Sequence, residues 1–276
     1  MFTIVAGTGY TGLRVLERLP AADAVGLSRS PIETTRAFHR VDFDALECLP
    51  LELPDRYRVL YTCPPGGDDD ERLRRFLALL QPAPVRFVYI STTGVYGDCK
   101  GAVVTEESPV NPDNRMSKPR VAAERLLNEW AAESGCELIV LRSPGIYGPG
   151  RLGIERLATG DAYLNEADAH PGNRIHVDDL ATCCLAALSE EAPAGIYNVG
   201  DGDHRTATQF AEEVARQAGL PAPRAISWAE AQKVFSPMRL AFLAASRVVD
   251  TTKMRGVLGV TPRTPEQGIR DSLSKG

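Results

Sequence analysis

The sequence predicts an α/β fold: a doubly wound parallel sheet with a smaller lobe towards the C-terminus. Three observations lead there. Short apolar runs alternate with helical patterns along the 276 residues, the runs lack polar alternation, and a glycine-rich turn directly follows the first of them. Apolar runs without alternation suit strands covered on both faces, and a βαβα order arranges such strands in parallel through right-handed crossovers. A hydrophobic content of 43% in a chain of this length is enough for a large core, so one α/β unit with a small appendage is expected rather than a disordered chain.

Taken in order, the expected strands are FTIVA (2–6), AVGLS (24–28), RVLYT (58–62), VRFVYIS (85–91), ELIVLR (137–142) and IYNVG (196–200). Helical patterns cover 11–19, 69–80, 117–134, 178–189 and 207–218. The helix at 69–80 opens on DDDERLRRF, where acids favour the amino end. Beyond residue 150 the alternation loosens into a helical stretch near 151–159, a proline-containing passage at 221–223 and a basic tail from Lys253 to Arg270. The expected division is therefore residues 1–150 as the sheet domain, rejoined by 175–200, with 151–174 and 201–276 as the small lobe. Ligands of doubly wound sheets lie at the carboxyl ends of the strands, so such a lobe would close over a substrate.

Several function classes are disfavoured at this level. A formal charge of −5 without a Lys/Arg run offers no field for a polyphosphate backbone, so no nucleic-acid partner is expected. MFTIVAGTGY lacks the basic-then-apolar order of a signal peptide, and no stretch reaches eighteen uninterrupted apolar residues, so a cytoplasmic protein without membrane contact is expected. The six cysteines (48, 63, 99, 136, 183, 184) form no C-x-x-C pair and have no histidine at ligand spacing. They are read as reduced structural thiols, and no metal is expected.

GTGYTG, residues 7–12, stands between the first strand and the first helix, the context in which a G-x-G-x-x-G run binds a dinucleotide. Gly7 permits the turn, Gly9 keeps a side chain away from the pyrophosphate, and Gly12 allows close packing of helix on sheet, with Tyr10 and Thr11 between them. A carboxylate at the end of the second strand would accept from a ribose 2′-hydroxyl, whereas an arginine pairs with a 2′-phosphate. The sequence there is GLSRS, with Arg29 between Ser28 and Ser30 and no acid before Glu33. This favours NADP over NAD.

Further stretches fall into one order: VDFD (41–44), TCPPGG (62–67), ISTTGVYGD (90–98), NRMSKPRVAAE (114–124), LRSPGIYGPG (141–150), RIHVDDLA (174–181) and GIYNVGDG (195–202). Together they resemble the extended short-chain dehydrogenase/reductases, the group of the nucleotide-sugar epimerases and dehydratases. The resemblance covers nearly the whole chain. It implies a Rossmann sheet of about seven strands with a small C-terminal substrate lobe. It also implies that Asp42 contacts the adenine, that Thr62, Cys63 and Pro64 lie under the nicotinamide ribose, and that Pro144, Gly145 and Ile146 line the nicotinamide. Thr92 matches the residue that polarises the substrate oxygen, and Lys118 matches the lysine that holds the nicotinamide ribose. A homodimer through the helices at 69–80 and 117–134 is suggested by the same analogy.

The chain departs from the family pattern at Asn114, which stands where the family places a proton-exchanging tyrosine four residues before the lysine. An amide does not titrate in the working range, and loss of an acid/base typically costs about 10²- to 10⁴-fold in rate. Tyr96, Tyr147, Glu106, Glu107 and Asp113 are the candidate substitutes. Gly145 replaces an asparagine that serves sugar nucleotides in the family, and Arg174 is displaced to stand directly before Ile175. Arg151, Arg156 and Arg174 are candidates for an anionic or sugar-like small-molecule substrate. Two functions follow as expectations: an NADP-dependent oxidoreductase or epimerase with an altered acid/base, or a non-catalytic NADP-binding sensor or interaction module.

Overall fold

The computed structural model describes residues 1–112 and 117–274. In chain order, β1 (Phe2–Ala6), α1 (Gly12–Arg18), β2 (Ala24–Ser28), β3 (Phe38–Arg40), β4 (Tyr57–Tyr61), α2 (Glu71–Ala78), β5 (Arg86–Thr92), β6 (Val103–Val104), α3 (Lys118–Ser134) and β7 (Glu137–Ser143) come first. There follow β8 (Gly145–Tyr147), α4 (Ile154–Ala158), β9 (Ala162–Leu164), β10 (Arg174–His176), α5 (Val177–Leu188), β11 (Gly195–Asn198) and α6 (Ala207–Ala218). The last elements are β12 (Arg224–Ile226), α7 (Trp228–Val234), α8 (Pro237–Ala244), β13 (Val248–Val249), α9 (Thr252–Val257) and α10 (Pro265–Leu273).

Seven strands form one sheet in the order β11-β7-β5-β4-β1-β2-β3, with every pairing parallel. The six apolar runs became β1, β2, β4, β5, β7 and β11. The seventh strand, β3, is three residues long and only partly buried, so it carries no apolar run to announce it.

Strand period decides how the two faces are covered. On β1, Ile4 and Ala6 enter one core and Val5 the other. On β5, Phe87 and Tyr89 face one side while Val88 and Ile90 face the opposite side. On β7, Leu138 and Val140 are separated from Ile139 and Leu141 in the same way. The first core takes α2 and α3 and is ordered by aromatic contacts of Tyr61 with Phe43, Phe76, Phe87 and Tyr89. The second core takes α1 and α5. Because both faces are apolar, the alternation that marks a half-exposed strand is absent from the sequence.

Two strand arginines have a structural task. Arg86 is only 2% exposed and donates to the carbonyls of Ala187, Ser189 and Ala192, while Arg58 donates to that of Leu188. Guanidinium groups thus satisfy the carbonyls left open at the C-terminal end of α5 and complement its dipole.

The later elements build two smaller cores. Tyr147, Leu157, Phe210, Val214 and Ile269 form one around α4, α6 and α10. Leu164, Ile226, Ala231 and Phe235 form the other around β9, β12 and α7. Among the described residues no helix is long and apolar enough to cross a membrane. No group of three His, Cys, Asp or Glu is placed to hold a metal ion among them either.

Candidate functional site

A groove of about 640 Å³ runs along the carboxyl edge of the sheet, from Ser28 and Asp42 across residues 7–11 to Thr62, Cys63, Pro64 and Ile90. The glycines that open it differ in what they do. Gly7 has φ +93°, a backbone conformation that side chains disfavour, and a Cβ there would lie 2.8 Å from Cys63 Sγ. A Cβ on Gly12 would stand 2.2 Å from the Gly7 carbonyl oxygen, so the first helical turn can close on the loop only without one. Gly9 has nothing within 4 Å of such an atom and faces open space. Thr62 donates its hydroxyl to the Gly7 carbonyl and ties the end of β4 to the loop. Thr8 Oγ1 is buried in the groove lining with no hydrogen-bond partner among the described residues.

Tyr10, Thr11, Ser28, Arg29 and Asp42 line this groove, as do Thr62, Cys63, Pro64 and Ile146. Ser28 donates its hydroxyl to the Ser30 carbonyl at 2.7 Å, which shapes the turn that presents Arg29. Burial pushes the Cys63 thiol up to about 12, so it stays protonated and poorly nucleophilic near neutrality. Tyr10 is held between two guanidinium groups, Arg151 at 3.8 Å and Arg14 at 4.3 Å from its ring centroid, and donates to the Pro149 carbonyl. Arg72, also in the lining, is paired with Asp44 at 2.7 Å.

Lys118 is placed differently from the other residues expected here. It is the exposed first residue of α3 and lines neither this groove nor its neighbour. Arg120 lines the groove instead, and its Nη1 donates to the Ile90 carbonyl at 2.8 Å and to the Tyr89 hydroxyl at 3.0 Å. Arg120 carried no expectation from the sequence, although a signal was present in the helical phase: Ala123, Glu124, Leu127 and Ala131 are the buried face of α3, and Arg120 shares it. Asn114 and Asp113 lie outside the described residues.

A second cavity of about 420 Å³ adjoins the groove across residues 144–146, at the start of β8. Pro144 and Gly145 line this cavity and Ile146 the groove. Thr92 stands at its sheet end, with Oγ1 accepting from the Gly94 amide at 3.1 Å. The remaining wall comes from the later elements: Arg156, Arg174, Arg239, Arg247 and His170 supply charge and polarity, and Tyr163, Phe242 and Leu243 supply apolar surface. No carboxylate is among the described lining residues. Arg156 and Arg239 both pair with Asp161, which is not itself among the lining residues, and Arg174 lies over the Phe210 ring at 4.6 Å. Of the three arginines expected to meet an anion, Arg156 and Arg174 face this cavity, and Arg151 faces the groove.

Among the described residues, the candidate proton donors Tyr96, Tyr147, Glu106 and Glu107 line neither space. Tyr96 is 1% exposed and bonded to Asn198 and Arg142. Tyr147 packs between His176 and Phe210, and burial raises its phenol well above the usual range. Glu106 accepts from the Asn198 amide, and neither it nor Glu107 lines a cavity.

Residues 73–200 match the model of the NAD dependent epimerase/dehydratase family. A functionally unknown conserved protein from Silicibacter pomeroyi DSS superposes with TM-score 0.81 at 28% identity, covering 100% of this chain and 99% of that one. MoeE5, solved in complex with UDP-glucose and NAD, superposes with TM-score 0.78 at 23% identity over 99% of this chain and 98% of that one. The protein YeeZ of Escherichia coli K12 is 31% identical over 191 residues, 66% of this chain and 64% of its own length. The chain spans between 35% and 64% of the length of the first curated relatives it matches. The match over residues 73–200 and the parallel seven-stranded sheet show that this chain has the α/β fold of these solved structures and is similar to the NAD dependent epimerase/dehydratase family.

Proposed function

We propose that this chain binds NADP in the groove and uses it in an oxidoreductase or epimerase reaction on a small anionic substrate held in the adjoining cavity. The observation that carries this reading is the meeting of the two spaces at residues 144–146, with Thr92 on the substrate side. The residues present fit a dinucleotide. Gly9 leaves open space where a Cβ would intrude, and Thr8 Oγ1 is a buried polar atom in need of a partner. Arg29, Arg72, Arg120 and Arg151 supply positive charge along the groove. Arg29 would pair with a 2′-phosphate and Asp42 would meet the adenine. Residues 62–64 and 144–146 would flank the nicotinamide half. When bound, NADP supplies or accepts hydride at its nicotinamide ring.

The chain's own residues would then bind and orient the substrate. The Thr92 oxygen already accepts from the Gly94 amide, which leaves its hydroxyl proton to donate to a substrate oxygen. Four arginines line the cavity, and with Arg156 and Arg239 sharing the one carboxylate of Asp161 the wall stays positive, which favours a carboxylate or phosphate on the substrate. Residues 1–150 with 175–200 serve as the dinucleotide-binding domain, and 151–174 with 201–276 as the lobe that supplies most of the substrate wall. A fluorescence titration with NADPH and NADH tests the cofactor. NADPH should bind tighter by about tenfold or more, the scale of a charge-assisted pair with Arg29, and equal affinities would remove the assignment of Arg29.

A second reading is favoured by one specific residue. Asn114 cannot exchange a proton, which suits a module that binds NADP and signals its redox state without turnover. Hydride exchange with any of a panel of anionic carbonyl compounds and sugar alcohols excludes that reading. Tight NADPH binding with no exchange across the panel supports it.

A further inference from the structure

We propose that Arg120, not Lys118, is the cation that contacts the nicotinamide-side ribose of the bound dinucleotide. The inference rests on the NADP reading above and deepens it. Its first support is helical phase. At about 100° per residue, Lys118 stands about 160° around α3 from Arg120. The buried positions Ala123, Glu124, Leu127 and Ala131 all fall on the Arg120 side. Glu124, one turn further on, fixes that face against the sheet by pairing with Arg142 at 2.7 Å. The helix cannot turn Lys118 inward without withdrawing this pair.

The second support is position along the groove. The sheet order places β2, β1, β4 and β5 side by side. A dinucleotide with its adenosine end at Arg29 and Asp42 crosses the loop after β1 and brings its other ribose to the ends of β4 and β5. Arg120 is bonded at the end of β5, through the Ile90 carbonyl, and lines the groove with Cys63 and Pro64. Among the described residues its hydrogen bonds engage Nη1 alone, so Nη2 and Nε remain as donors to ribose hydroxyls.

The chemical consequence is specific. A guanidinium keeps its charge and releases no proton at any working pH, so this cation can hold a ribose but cannot pass a proton along a relay. Four residues before Arg120 stands Met116, and four before Lys118 stands Asn114. Neither side chain titrates. By either count the chain lacks a phenol in that register, and proton exchange must come from the substrate, water or a group outside that register.

Calorimetric titration of the full chain with NADPH, ADP-ribose and adenosine 2′,5′-bisphosphate tests the proposal. ADP-ribose keeps the second ribose, and the bisphosphate lacks it. Arg120→Ala should weaken NADPH and ADP-ribose by about tenfold or more and leave the bisphosphate within about twofold. Arg120→Lys should recover part of the loss near neutral pH, and Lys118→Ala should leave all three unchanged. Melting curves identify a variant that fails to fold, in which event Arg120→Lys and Lys118→Ala decide: a weakened second-ribose set in the former, with the latter unchanged, supports the proposal. Selective loss in Lys118→Ala overturns it, as does an equal loss of all three ligands in Arg120→Ala. No binding of any ligand by the unaltered chain overturns the cofactor reading itself, a result distinct from either of these.

Discussion

Gly9 and Gly12 are three residues apart and respond to a side chain for different reasons. At Gly12 a Cβ collides with backbone 2.2 Å away, so Gly12→Ala should cost about 1–3 kcal/mol of stability, the scale of overpacking, and lower the melting temperature by several degrees. At Gly9 the space is open. Gly9→Val should melt like the unaltered chain yet bind NADPH about tenfold or more weaker, because its methyls occupy the cradle. Equal melting losses in both would contradict the separation of roles. Asp201 supplies a pH test. Burial pushes its carboxyl up to about 7, and its Oδ2 has no partner among the described residues. The folded state therefore holds a proton that the unfolded chain releases near pH 4, so this group's contribution to stability falls as pH rises from about 4 to about 7. Asp201→Asn should be more stable than the unaltered chain by about 1–3 kcal/mol at pH 8, with the gap closing towards pH 4 in urea unfolding. A gap independent of pH would assign the effect to something other than this carboxyl. The glycines were legible in the sequence because their spacing carries a backbone requirement. Asp201 was not, since its burial depends on packing by segments distant along the chain.

At the scale of the element, α3 shows how a motif can be recognised and its register still be left open. NRMSKPRVAAE marked a helix, and the helix is there. Which cation faces the sheet depends on the phase of the buried face, and that face includes Glu124, a residue that pattern reading assigns to solvent. It is buried because Arg142 on β7 and Ser91 on β5 meet it, and Arg142 also donates to the Tyr96 hydroxyl. Removing one partner should therefore expose the cost of an unpaired buried charge: Glu124→Ala is expected to lose about 3–5 kcal/mol in urea unfolding. The double variant Glu124→Leu with Arg142→Met should recover most of that loss, since apolar replacement of a buried pair is often neutral. A double variant as unstable as the single one would show that the network around Tyr96 and Ser91, rather than the pair, holds α3 in place. The strands were easier to read than this helix. Two-sided burial writes long apolar runs into β1, β4, β5 and β7, whereas β3 and the two-stranded pairs of the later elements are too short to leave a pattern.

Across the whole molecule the charge is unevenly placed. The chain carries a formal −5, yet four arginines line the groove against Asp42 and Asp44, and four more line the adjoining cavity, two of them sharing Asp161. The cavity arginines come from α4, β10, α8 and the segment before β13, so only the folded chain gathers them and bulk charge gives no hint of the field. Low-dielectric walls focus such a field on an incoming anion, and ionic strength screens it, with a Debye length of about 10 Å at 0.1 M salt and about 3 Å at 1 M. NADPH bears a 2′-phosphate that NADH lacks. Its affinity should therefore fall more steeply than that of NADH between about 0.05 and 0.5 M salt, and Arg29→Ala should bring the two slopes together while leaving NADH binding nearly unchanged. Parallel slopes in the unaltered chain would mean that the 2′-phosphate does not meet Arg29. The choice between the nicotinamide cofactors would then have to come from Asp42 at the other side of the same end of the groove.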